Sequence, residues 1–158
     1  MPKKQIYLTG FMGTGKSMIL NCLHEVCGFD KIEMDEQIVQ EQGMSIPEIF
    51  EKKGEEYFRN LETELVKKIS AMDNIVVSCG GGTVMRQCNV DEMKKNGTIV
   101  LLTAEPETVY ERVKGSHNRP LLEKNMNPEY IKELMEARRP KYEAAADLSL
   151  IHISEPTR

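Results

Sequence analysis

The sequence predicts one α/β domain of three layers, a central parallel sheet flanked by helices and carrying a mobile lid. Three observations predict it. Apolar runs alternate with helical periods from one end to the other, with no repeat, low-complexity tract or Pro/Gly/Ser linker between them. The apolar runs are short and nearly unbroken, as strands buried on both faces of a parallel sheet are. With 158 residues, 40% of them apolar, the chain suits a single core and leaves little room for a second.

Gln5 to Gly10, QIYLTG, is the first buried strand. A helix from Ser17 to Val26 follows, with Met18, Ile19, Cys22, Leu23 and Val26 expected on its apolar side. Lys31 to Asp35, KIEMD, is a second short strand. Ser45 then opens a helix: Glu48 three residues on completes a capping box, and Pro47 falls in the first turn. The next helix, Glu55 to about Ala71, carries Phe58, Leu61, Leu65 and Ile69 on one stripe. NIVVSCGGG, residues 74–82, is a strand running into a glycine turn, and TIVLLT, residues 98–103, is another strand. Pro106 and Asn127-Pro128 start the last two helices. Between those helices KGSHNRPLLEKN, residues 114–125, is polar and long enough for a mobile flap.

Composition excludes some functions. With 25 acidic and 21 basic side chains the net charge is -4, the wrong sign for a general nucleic-acid binder, so a small-molecule partner is expected. No apolar run reaches the length of a membrane span, and no signal-like apolar segment separates Met1 from the first strand. A cytoplasmic location is therefore expected. Cys22, Cys27, Cys79 and Cys88 show neither C-x-x-C pairing nor a nearby His, and read as reduced thiols.

Chemistry enters with GFMGTGKS, Gly10 to Ser17, which fits G-x-x-x-x-G-K-[ST] in full between a strand and a helix. In such a P-loop, backbone N–H groups and the helix dipole converge on phosphate oxygens. Lys16 reaches the β/γ-phosphates, and the Ser17 hydroxyl can bind Mg²⁺. The chain is thus expected to bind ATP or GTP. The acceptor is read from charges elsewhere. Glu33 and Asp35, two apart at the end of the second strand, point to one face near the ligand crevice of a parallel sheet. They serve either as metal and hydroxyl partners or as a solvated acid pair. Arg59 stands among Tyr57, Phe58 and Leu61, and Arg138 and Arg139 are expected to close the last long helix. These arginines are surface charges, or two of them grip a small carboxylate through bidentate bonds. Gly80 to Gly82 is a tight turn or a place where backbone approaches a ligand. Arg119, in the flap, is a cation that could close over a transferring phosphoryl group.

Together, GFMGTGKS, EMDEQI, GMSIPEIFEKKGEEYFRNLE, SCGGGTV, RVKGSHNRPLL and RRPKYEAAAD resemble the shikimate kinase family, in order, from about Ile6 to Asp147. The resemblance implies a P-loop kinase that uses ATP and Mg²⁺ to phosphorylate the 3-hydroxyl of shikimate in the route to chorismate and aromatic amino acids, and nothing in the sequence demands more than a monomer. By position it implies nucleotide contacts along Gly13, Thr14, Gly15, Lys16, Ser17 and Met18, with Arg112 packed against adenine. Asp35 would orient the acceptor hydroxyl, and Arg59 and Arg138 would grip the substrate carboxylate. Gly80, Gly81 and Gly82 would line its ring, and Ile46, Phe50 and Phe58 would form an apolar wall. Glu62 would steady Arg59, Lys16 and Arg119 would stabilise phosphoryl charge, and Ser17 and Glu33 would serve the metal. The alternatives are another small-molecule P-loop kinase, such as a gluconate kinase, and a nucleotide-binding homologue without activity.

Three departures from the family pattern carry expectations of their own. Glu33 replaces the first Asp of D-x-D, which should weaken or shift Mg²⁺ binding. Met18 replaces a Thr whose hydroxyl reaches the α-phosphate, a loss worth about 1 kcal/mol. Residues 148–158, LSLIHISEPTR, match the translation of a transposase adapter used in sequencing-library preparation. Residues 1–147 are accordingly expected to be the kinase-like domain, incomplete at its C-terminus, and 148–158 a non-native tail that alternates enough to form a strand.

Overall fold

The computed structural model describes residues 5–10, 15–103, 106–113 and 128–151. Five strands form one sheet: β1 (Gln5–Thr9), β2 (Asp30–Glu33), β3 (Ile75–Ser78), β4 (Gly97–Thr103) and β5 (Leu148–Ile151). Their order is β2-β3-β1-β4-β5, and every neighbouring pair is parallel. Seven helices are described: α1 (Lys16–Cys27), α2 (Met34–Gln42), α3 (Ile46–Lys53), α4 (Glu55–Ile69), α5 (Gln87–Lys94), α6 (Pro106–Val113) and α7 (Pro128–Ala145). A 3₁₀ turn, Thr83–Met85, follows β3.

The strand alternation divides the core in two. Tyr7, Ile75, Val77, Ile99 and Leu101 face one side, where they pack with Phe58, Leu65, Val66 and Ile69 of α4, Val90 and Met93 of α5, and Tyr142 and Ala145 of α7. Leu8, Val76, Val100 and Leu102 face the other side and meet Leu20 of α1. Helices on both faces of a parallel sheet make the three layers. Side-chain bonds lock the central strand: Tyr7 donates to Gln5 Oε1 at 2.9 Å, and Gln5 Nε2 donates to the carbonyls of Ser70 and Met72 at 3.0 and 2.8 Å. Asp147 seats β5, because its carboxylate and its own N–H both bond the backbone of Ile99, at 2.9 and 2.8 Å. The expected strand over residues 148–151 forms here.

Several expectations are corrected. On α1 only Leu20 is buried, with Ile19 and Leu23 half-buried beside it; Met18, Cys22 and Val26 are exposed. A narrow line of Leu20, Ile19 and Leu23 is what meets the sheet. The second strand stops at Glu33, and Met34 and Asp35 begin α2, with two acids, Asp35 and Glu36, at the favourable N-terminal end of its dipole. Arg138 and Arg139 do not close the last helix: α7 continues through Pro140 to Ala145. Proline removes one helical N–H, and the carbonyl it leaves, that of Glu136, belongs to an exposed residue. Helices α2 and α5 carry no expectation in the sequence reading. The flap, 114–125, lies outside the described residues.

The capping box is present: Glu48 N–H donates to Ser45 Oγ at 3.3 Å and Ser45 N–H to Glu48 Oε1 at 2.9 Å. Ser45→Ala should therefore cost about 1 kcal/mol. The check is the urea unfolding midpoint, and an unchanged midpoint would remove the cap from the account of α3.

Candidate active site

Two glycine segments leave the carboxyl ends of adjacent strands, Gly10 after β1 and Gly80 to Gly82 after β3. The chain runs from β1 towards β2 on one side and from β3 to β4 on the other, so this is the switch point where ligands bind in open α/β sheets. The strand and helix flanking the P-loop are both present, and Gly15 is the N-cap of α1. Lys16 Nζ donates to the Gly10 carbonyl at 2.9 Å, and Ser17 Oγ donates to Glu33 Oε2 at 3.0 Å. Met18 lies in the first turn of α1, 53% exposed. Gly13, Thr14 and Arg119 lie outside the described residues, as does the side chain of Arg112.

The glycine turn is where the other candidates meet. A methyl group built on Gly80 would lie 2.7 Å from Glu62 Oε2 and 3.0 Å from Asp35 Oδ1. One built on Gly82 would lie 2.5 Å from Arg59 Nη1, and one on Gly81 3.2 Å from Arg138 Nη1. Only glycine lets these side chains close on the backbone. Asp35, Arg59, Glu62 and Arg138 thus come from three helices, α2, α4 and α7, to one three-residue turn. Arg139 is not among them; it pairs with Glu136 at the surface, at 3.4 Å. Ile46 and Phe58 are buried and Phe50 half-buried nearby, with the two phenyl rings 5.3 Å apart.

Arg59 is held from both sides. Its Nη1 donates to Glu62 Oε1 at 2.9 Å, while Nη2 and Nε reach Glu55 Oε2 at 3.2 and 3.4 Å. Glu62 is 1% exposed and also accepts from Thr83 Oγ1 at 3.1 Å. Burial pushes its carboxyl above the ordinary range; Arg59 opposes that rise, and the like charge of Asp35 adds to it. Burial alone would lower the Arg59 guanidinium, but Glu62 and Glu55 outweigh it and hold the group above its ordinary value. Cys79, buried beside Lys16, Glu62 and Asp35, has its thiol pushed up to about 12, chiefly by desolvation, and stays neutral and unreactive.

Sequence reasoning missed three members. Thr83 supplies the second bond to Glu62, and Glu55 caps the outer edge of Arg59. Tyr142 donates to the Gly81 carbonyl at 2.5 Å. The signal for Tyr142 was its position four residues after Arg138, which is one helical turn and the same face once α7 is known to continue past Pro140.

The raised carboxyl of Glu62 has a consequence for stability. Because the folded state holds that proton more tightly than a glutamate of ordinary value 4.5 does, its contribution is complete below that value. It is lost as pH rises through the higher folded value. Between about pH 4 and pH 7 the urea midpoint of Glu62→Gln should therefore fall less with rising pH than that of the wild type. Parallel curves for the two proteins would contradict the assignment.

Comparison with known proteins identifies the family. Residues 12–157 match the family model described as shikimate kinase. The chain is 45% identical over 147 residues to the shikimate kinase of Persephonella marina, covering 93% of this chain and 88% of that protein. It is 44% identical over 142 residues to that of Thermodesulfovibrio yellowstonii, covering 90% and 82%. A solved structure described as shikimate kinase from Acinetobacter baumannii in complex with shikimate superposes with a TM-score of 0.89 at 31% identity, covering all of this chain (100%) and 86% of that one. A gluconokinase from Sinorhizobium meliloti, at 17% identity and a TM-score of 0.59, covering 98% and 85%, shares the fold alone. A family model matched over residues 12–157 and relatives at 45% and 44% identity show that the chain belongs to the shikimate kinase family.

Proposed function

We propose that the protein transfers the γ-phosphoryl group of ATP to the 3-hydroxyl of shikimate, giving shikimate 3-phosphate and ADP. The observation that carries this is the convergence of Asp35, Arg59 and Arg138 on Gly80 to Gly82, beside the P-loop. A hydroxylated ring carboxylate needs what that turn offers: backbone close enough to meet a ring, two guanidinium groups for the carboxylate and a carboxylate for the hydroxyl. The family names and the shikimate in the Acinetobacter complex support the same acceptor.

Phosphoryl transfer asks a protein mainly for positioning and charge stabilisation. Arg59 and Arg138 bind the shikimate carboxylate, Ile46, Phe50 and Phe58 enclose the ring, and Asp35 orients the 3-hydroxyl. As the new O–P bond forms, Asp35 takes the hydroxyl proton and the bond from the γ-phosphorus to the ADP oxygen breaks. Lys16, with Arg119, neutralises charge on the transferring group. Gly13 to Met18 hold the phosphates and Arg112 the adenine. Ser17 and Glu33 would hold Mg²⁺. Their 3.0 Å contact brings together two hard oxygen donors, the ligand type that suits Mg²⁺. Bound there, the ion supplies positive charge to the β- and γ-phosphate oxygens.

A monomeric working unit belongs to the proposal, and sedimentation equilibrium of the purified protein tests it. A cytoplasmic location also belongs to the proposal, supported by its ATP substrate and four unpaired thiols. Among the described residues no helix is long and apolar enough to cross a membrane. Residues 148–158 are proposed to be a non-native tail, which sequencing the source locus tests; the same codons in the genome would refute it.

ADP release should depend on shikimate, with gluconate inert as acceptor. Shikimate-independent or gluconate-dependent turnover would overturn the assignment. Arg59→Ala should raise the shikimate KM tenfold to a hundredfold with the ATP KM unchanged, because charge-assisted bonds are lost; equal losses on both substrates would contradict its role. Asp35→Asn should lower kcat by roughly 10²- to 10⁴-fold. Met18→Thr should lower the ATP KM about fivefold if the added hydroxyl gains one phosphate bond, and no change would show that this position makes no such contact.

A further inference from the structure

The Gly81 carbonyl is held by a residue that no part of the mechanism yet uses. Tyr142, 5% exposed on α7, donates its hydroxyl to that carbonyl at 2.5 Å. It stands one helical turn after Arg138, and both flank the same glycine. The direction in which Gly81 would carry a side chain meets Arg138 Nη1 at 3.2 Å and Tyr142 Oη at 3.8 Å. Arg59 closes on the next residue, Gly82, in the same way. The Thr83 N–H to Gly80 carbonyl bond, 3.2 Å, closes the turn between them. A peptide group is planar and trans, so fixing the Gly81 carbonyl on Tyr142 also aims the Gly82 N–H in the opposite direction, away from the tyrosine hydroxyl. One hydroxyl therefore sets both the tilt of the turn and its distance from α7.

We propose that Tyr142 is a positioning residue of the acceptor site: by clamping the Gly81 carbonyl beside Arg138, it sets the spacing between the turn and the two guanidinium groups that receive the acceptor. This rests on the shikimate kinase assignment above. Burial raises the phenol of Tyr142, and Arg138 and Arg59, the charged groups facing it, pull it back. Burial outweighs them, and Cys79, the third group facing the phenol, adds to the rise, so in the wild type the hydroxyl remains a donor throughout the neutral range.

The test is the kinetics of Tyr142→Phe, which keeps the ring and deletes the donor. The clamp predicts a shikimate KM raised about five- to tenfold with the ATP KM within about twofold, the effect of one lost hydrogen bond at a single subsite. An unchanged shikimate KM, or equal rises for both substrates, overturns it. Should Tyr142→Phe fail to fold, a fluorinated tyrosine placed at 142 keeps the volume and the bond but has a more acidic phenol. Its shikimate KM should climb with pH across a range in which the wild type stays flat, and parallel profiles overturn the clamp. A wild-type protein without shikimate-dependent turnover would instead overturn the underlying assignment, and the clamp's role with it.

Discussion

The ion pair between Arg59 and Glu62, buried under a turn of three glycines, is the interaction on which the acceptor half of this protein depends. Taking a carboxylate to 1% exposure is expensive, and the structure offsets it with a guanidinium at 2.9 Å and a threonine hydroxyl at 3.1 Å. Arg59 is fixed in turn by its own helix, because Phe58, Leu65, Val66 and Ile69 bury α4 against the sheet. Deleting one member of such a pair strands the other, at roughly 3–5 kcal/mol. The turn must be glycine because a side chain at Gly80 would strike Glu62 and one at Gly82 would strike Arg59. Packing, charge and backbone are thus one constraint seen from three sides.

The parallel sheet converts that local arrangement into a two-substrate site. β1 and β3 are neighbours, so the P-loop that follows one and the glycine turn that follows the other open into the same crevice. Cys79, at the end of β3, lies within electrostatic reach of Lys16 from the P-loop side and of Glu62 and Asp35 from the turn side, so the two halves adjoin there. Under the proposed function, a hydroxyl bound at the turn would face the phosphates bound after β1, the positioning that phosphoryl transfer requires.

Local chemistry made much of this legible. The Ser45–Glu48 capping box and the apolar strands over residues 75–78 and 97–103 act over a few residues and formed as the sequence predicted, as did the strand and helix that flank the P-loop. What failed depends on tertiary context. KIEMD reads as a strand by composition, but Met34 and Asp35 turn into α2, which moves Asp35 from a strand face to the first turn of a helix. The apolar line through Met18, Cys22 and Val26 has helical spacing, yet the packing of α1 on the sheet turns Leu20 inward and leaves those three exposed. Pro140 reads as a helix stop; α7 passes through it with its orphaned carbonyl on the exposed side, and Tyr142 thereby gains its place beside Arg138. Arg59, Arg138 and the three glycines were singled out, but their mutual contact is a property of the fold and not of any spacing in the chain.

The most direct test of the central claim, that the buried Arg59 pair exists to present a guanidinium to the acceptor's carboxylate, is to offer shikimate beside its methyl ester and measure kcat/KM for each. The ester keeps the ring and all three hydroxyls but carries no negative charge. The account predicts a large fall in kcat/KM for the ester, most of it in KM, and a much smaller difference between the two acceptors in Arg59→Ala. Equal use of ester and acid by the wild-type protein would contradict it.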